Sequence, residues 1–118
     1  MGMWGIEAYD NDCAADWLSD LMDSTKLREA WLKGINTDLD DEPEIPRAAV
    51  WLFVQLGYVY VWPIANYNKD LELAISVADR LRHDDYFLEV AGMKDKLEQE
   101  YSELVRRRHP QGKNNRLI

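Results

Sequence analysis

The sequence predicts an all-α fold: a single domain of five or six helices packed around a buried central helix. Apolar residues recur at helical spacing through most of its 118 residues. Only one short run, residues 58–62, alternates as a strand would, and no second run is present to pair with it. Capping residues, prolines and glycines punctuate the chain at intervals suited to short helices.

The first helix begins after residue 11, with Asn11 or Asp12 as its N-cap. Ala14, Trp17, Leu18, Leu21 and Met22 fall on one side of it, and Asp16, Asp20 and Asp23 on the other. Leu27, Ala30, Trp31 and Ile35 repeat the pattern, with Gly34 placed to end that helix, and these two helices are expected to form a hairpin. Residues 38–44 are an acidic connection. Pro46 then suits a first turn, with Glu42 and Glu44 near its positive end. Residues 47–56 are almost wholly apolar, so this helix is expected to be buried all round, with Trp51 in the core beside Trp17 and Trp31. Residues 58–62 read as an extended connection ending at Pro63.

Leu71, Ala74, Ile75, Ala78 and Leu81 give a further stripe, with Asp70 and Glu72 in its first turn and Arg80, Arg82 and His83 in its last. Tyr86, Phe87, Val90 and Ala91 form a short apolar face before Gly92. Met93, Leu97, Tyr101, Leu104 and Val105 make the final stripe. Residues 1–109 are thus expected to form one helical domain with a structured N-terminal loop, and 110–118 a flexible basic tail.

Composition narrows the function classes. Apolar residues are 47% of the chain and charged residues 31%, the balance of a packed globular protein. Net charge is −8, and all 22 Asp and Glu precede residue 104, while five of the 14 Lys and Arg follow it. Such a body repels polyanions, which disfavours nucleic-acid binding outside the run Arg106, Arg107, Arg108 and His109. That run is read as cations complementing a helix C-terminus. A single cysteine, Cys13, permits no internal disulfide, and the longest apolar stretch is short for a membrane span. A cytoplasmic protein without a membrane partner is expected.

No phosphate-binding loop, nucleophile elbow or zinc-ligand spacing is present, so no cofactor is expected. Asn36, Asp38 and Asp40 begin like a calcium loop, but Asp41 stands where that motif requires glycine and Arg47 where it closes on glutamate. Cys13, among aspartates, is expected as a small buried thiol. What stands out is the N-terminal loop. Trp4 lies between glycines, and Asp10, Asn11, Asp12 and Asp16 cluster at the first helix start. Capping explains those carboxylates, and folding back over the helices explains Trp4. The functional alternative is a partner-binding surface made by Trp4, Asp10, Asn11, Asp12 and Asp16.

The Gly-x-Trp-Gly of residues 2–5, followed by Asn11-Asp12, an alanine pair and Asp16-Trp17-Leu18, resembles the start of the bacterial domain-of-unknown-function family numbered 4259. That resemblance implies no activity. The chain departs from the family pattern at Ile6, Glu7 and Ala8 and at Cys13. Two functions fit: a non-catalytic acidic module binding a basic protein, as immunity proteins that neutralise toxins do, or an enzyme using the N-terminal carboxylates on a small molecule or metal.

Overall fold

The computed structural model describes residues 7–9 and 11–108 and is all-α, as the sequence predicts. Six α-helices follow in order: α1 (Asp12–Ser24), α2 (Leu27–Ile35), α3 (Glu44–Leu56), α4 (Tyr67–Leu81), α5 (Asp85–Leu88) and α6 (Met93–Arg106). A short 3₁₀ helix, Ile64–Asn66, leads into α4.

Two helices share the centre. α3 packs against α2, α4 and α6, and α4 against α2, α3 and α6. The more buried is α4, which hides Tyr67, Leu71, Ala74, Ile75, Val77, Ala78 and Leu81. This corrects the expectation that α3 would be buried all round. α3 buries Pro46, Ala49, Val50 and Phe53 on one face, and Trp51 on the other remains 50% exposed. An apolar helix surface is covered only where another element reaches it, and on the outer face of α3 the described residues leave Ala48, Trp51 and Gln55 exposed.

The core is built on aromatic contacts between α2, α3 and α4. Trp62 meets the Trp31 and Phe53 rings edge-on, with centroids 5.1 and 4.8 Å away, and Phe53 stacks on Tyr67. Such pairs contribute about 0.5–1.5 kcal/mol beyond their buried area. The buried Trp31 indole N–H donates to the Ala49 carbonyl at 2.9 Å, tying α2 to α3. Gly34 lies within α2 and does not end it. A Cβ there would meet Ala49 and Ile45 at 3.6 Å, an ordinary van der Waals contact, so the position faces α3 with room for a methyl group.

Four further expectations are corrected. α1 makes no extensive contact with α2, so the hairpin is α2 with α3. Only Met22 of α1 is fully buried, and Trp17 is 64% exposed. On a helix of period 3.6, Ala14, Leu18 and Met22 point inward and Trp17 and Leu21 fall beyond the covered edge. Residues 58–62 are not extended, since the Val61 and Trp62 amides both donate to the Tyr58 carbonyl in a tight turn. That turn drops Trp62 into the core and leaves Tyr60 half exposed. Cys13, expected buried, is exposed.

Candidate functional site

Of the two expected caps, Asn11 and Asp12, it is Asn11 that caps α1: its Oδ1 accepts from the Ala14 amide at 2.8 Å, and its Nδ2 donates to the Ala8 carbonyl at 3.3 Å. Both ends of its side chain are therefore used in fixing the helix start. Asp12 and Asp16, one turn apart, project from the same flank of α1. Trp4 and Asp10 lie outside the described residues.

The flank carrying Asp12 and Asp16 faces the turn of residues 58–62. Between them runs an open groove. Its wider end, about 620 Å³, is lined by Asp12, Ala15, Asp16 and Tyr60. Its narrower end, about 240 Å³, is lined by Ser19, Val59, Val61, Trp62 and Ile64 besides residues already named. One wall is acidic and the other aromatic and aliphatic. Tyr60 and Ile64 keep 50% and 65% of their surface exposed. No lysine or arginine stands among the described lining residues. The sequence pointed to Asp12 and Asp16, but not to Tyr60 or Ile64, because the facing wall forms only when residues 58–62 turn.

The groove floor rests on a buried polar hub. Asp70 on α4 is fully buried and accepts from the Trp62 indole N–H at 2.7 Å, and from Arg28 Nε and Nη2 on α2 at 2.6 and 2.9 Å. Its hydrogen bond and charge raise the Arg28 pKa. The expectation that Asp70 serves the α4 dipole is thus corrected: it is an interior ligand for two donors that are 42 and 8 residues away in sequence.

The arginine run also proves internal. Arg106 pairs with Glu103, and Arg108 forks onto Glu72 with two contacts of 2.7 Å. Arg107 is buried, its guanidinium donating to the carbonyls of Phe53, Val54 and Gly57 at the end of α3 and to the Tyr58 hydroxyl. Burial pushes its pKa down against the pull of the surrounding tyrosines. His109 lies outside the described residues; His83 is exposed at the end of α4, with Nδ1 2.9 Å from the Asp79 carbonyl.

A second buried charge is less well served. Glu100 on α6 lies 3.9 Å from Arg47 on α3, and Glu100 Oε1 and Arg47 Nε are buried without a hydrogen-bond partner. Burial pushes the Glu100 carboxyl up, more than the nearby Arg47 and Lys96 pull it down. A raised folded-state value means that the native state holds its proton more tightly than the unfolded chain. Stability then falls as pH rises through the ordinary carboxylate range towards that raised value. Glu100→Gln is therefore expected to raise the melting temperature at neutral pH. At about pH 3, where both states are protonated, the difference should vanish, as thermal denaturation across pH would show.

Among the described residues no helix is long and apolar enough to cross a membrane. None of them form a group of three or more His, Cys, Asp and Glu able to hold a metal ion. Residues 2–56 match the model of a family described as Domain of unknown function (DUF4259), the family that the N-terminal motif resembles. The match spans α1, α2 and α3, taking in Asp12 and Asp16 but stopping short of Tyr60 and Ile64. No curated protein and no solved structure matches the chain.

Proposed function

With the DUF4259 match over residues 2–56 as premise, we propose that the chain is a non-catalytic, acidic protein-binding module of the bacterial cytosol. Its α1 groove receives a basic segment of a partner protein. The observation carrying this is the two-sided wall. A lysine or arginine side chain has an apolar stem and a cationic head. The stem fits Tyr60 and Ile64, and the head fits Asp12 and Asp16 across the groove. The body's negative field supplies steering, which speeds association with a cationic partner. A partner that is itself a toxic basic protein would suit this balance, as in the immunity-protein example.

The test is capture of a partner from source-cell lysate, followed by affinity measurements with that partner purified. Asp12→Asn/Asp16→Asn is expected to weaken binding about 3–10-fold, mostly through slower association, because exposed charge pairs contribute roughly 0.2–1 kcal/mol each. Tyr60→Ala should add to the loss, and binding should weaken as salt rises. A partner bound equally well by the native chain and all of these folded variants would remove the groove from the interface.

A further inference from the structure

The outer face of α3 carries a second feature, separate from the α1 groove. Glu44, Ala48, Trp51 and Gln55 are all exposed and follow one another at spacings of four, three and four. That is the spacing of a coiled-coil seam, in which successive residues return to one side of the helix. Trp51 is half exposed, an unusual state for the largest apolar side chain on the face. Beside it lies a groove of about 270 Å³ lined by Glu44, Arg47, Ala48, Trp51 and Phe87. Exposed Tyr86 and Val90, on and just after α5, extend the apolar surface.

The seam is complementary to itself when reversed. About an axis midway between Ala48 and Trp51, an antiparallel copy sets its tryptophan over Ala48 and its glutamine opposite Glu44. The large residue meets the small one, and an amide donor meets a carboxylate. Glu44 is already held in place by the Tyr86 hydroxyl, which donates to Oε2 at 2.5 Å and keeps the carboxyl below its ordinary range. No like charges face each other along this seam, whereas the chain as a whole carries −8. A second copy therefore meets less repulsion here than on an acidic face such as that of α1.

We propose that this face is covered by a second copy of the chain, in a two-fold antiparallel α3–α3 contact with each Trp51 seated in the other copy's groove beside Ala48 and Arg47. The interface is isologous, so one patch supplies both knob and hole. With four seam residues and one groove on each copy it is small beside the roughly 20–30 residues a side of a standard interface, so a dissociation constant on the order of 10–100 µM is expected. Because two acidic bodies approach, dimerisation should strengthen with salt as their repulsion is screened. That is opposite to the salt dependence expected at the α1 groove, so either result can fail alone.

Sedimentation equilibrium of the full chain, run at low and moderate salt up to a few hundred µM, tests this. The expected result is a reversible dimer that Ala48→Arg abolishes without changing helical circular dichroism. Gln55→Glu, milder, sets a second carboxylate against Glu44 and should weaken dimerisation about 10-fold. Glu44→Gln in the same chain should restore it, because the pair is then reversed in kind. A monomer at every concentration, a dimer indifferent to Ala48→Arg, or a Gln55→Glu chain that dimerises as tightly as the native one would each overturn the proposal.

Discussion

Arg28→Met is expected to cost about 3–5 kcal/mol of folding stability, a large share of what a domain of this size possesses. The reason lies in how unequally the pair is buried. The Asp70 side chain has no solvent exposure, while that of Arg28 keeps 21%. Removing Arg28 leaves a carboxylate in the core with the Trp62 indole as its one remaining donor among the side-chain contacts described. It cannot rehydrate without opening α4 away from α2. Asp70→Asn leaves the opposite remainder: Arg28 can turn towards water, and the substituted amide oxygen can still accept from Trp62. That change is expected to cost about 1–3 kcal/mol, the range for a disturbed buried hydrogen bond. The double variant should be more stable than Arg28→Met alone, because the orphaned charge is gone. Urea unfolding of the four chains checks all three statements. A cost for Asp70→Asn equal to that of Arg28→Met would show that charge burial is not what separates them.

The same variants bear on the α1 groove. Trp62 forms part of its floor and Val61 lies beside it, so a carboxylate that anchors the indole also sets where Tyr60 emerges. The groove wall is thus held by an interior ion pair as well as by the turn's own hydrogen bonds. Partner affinity in Asp70→Asn should accordingly fall even where the chain remains folded.

What the sequence made legible, and what it did not, follows from the range of the interactions. Spacing alone placed Leu71, Ala74, Ile75, Ala78 and Leu81 on one stripe, and all five are buried, because a helix of period 3.6 presents them together wherever its neighbours stand. The Asn11 cap was legible for the same local reason. Trp17 and Trp51 were misplaced because periodicity gives an angle around the helix and not the width of the surface that a neighbour covers. Asp70 and Arg107 were read by their position on their own helices. Their partners lie up to 42 and 54 residues away, and no local pattern encodes such pairings. Of the candidate site, the acidic wall was readable, and the aromatic wall was not, since a turn and an extended link can carry the same alternating residues.

Arg107→Lys is expected to destabilise the fold nearly as much as Arg107→Met, by about 2–4 kcal/mol, despite conserving charge. The last four carbonyls of an α-helix have no partner within it. At the end of α3, Arg107 Nη1 reaches the Phe53 and Gly57 carbonyls, both at 3.2 Å, and Nη2 reaches Val54 at 2.8 Å and the Tyr58 hydroxyl at 2.8 Å. Nε is meanwhile held by Glu103 at 2.9 Å, and the guanidinium lies 4.0 Å over the Tyr58 ring. A planar fork with donors on three nitrogens satisfies these acceptors together, whereas an ammonium offers one point charge and cannot span them. Little room exists for another arrangement. A Cβ on Gly57 would come within 2.4 Å of the Phe53 ring, so the chain leaves α3 by a close-packed path. The Phe53 carbonyl keeps the Gly57 amide at 2.6 Å, but the Val54 and Gly57 carbonyls abandoned by the variant remain at least partly buried and lose their donor. The measurement is denaturant unfolding of native, Arg107→Lys and Arg107→Met chains, with hydrogen exchange at the C-terminal turn of α3 and at residues 58–62. Exchange should quicken there first in both variants. If lysine instead retained near-native stability and protection, charge near the helix end would be the whole contribution of Arg107, and its fork of hydrogen bonds would not be.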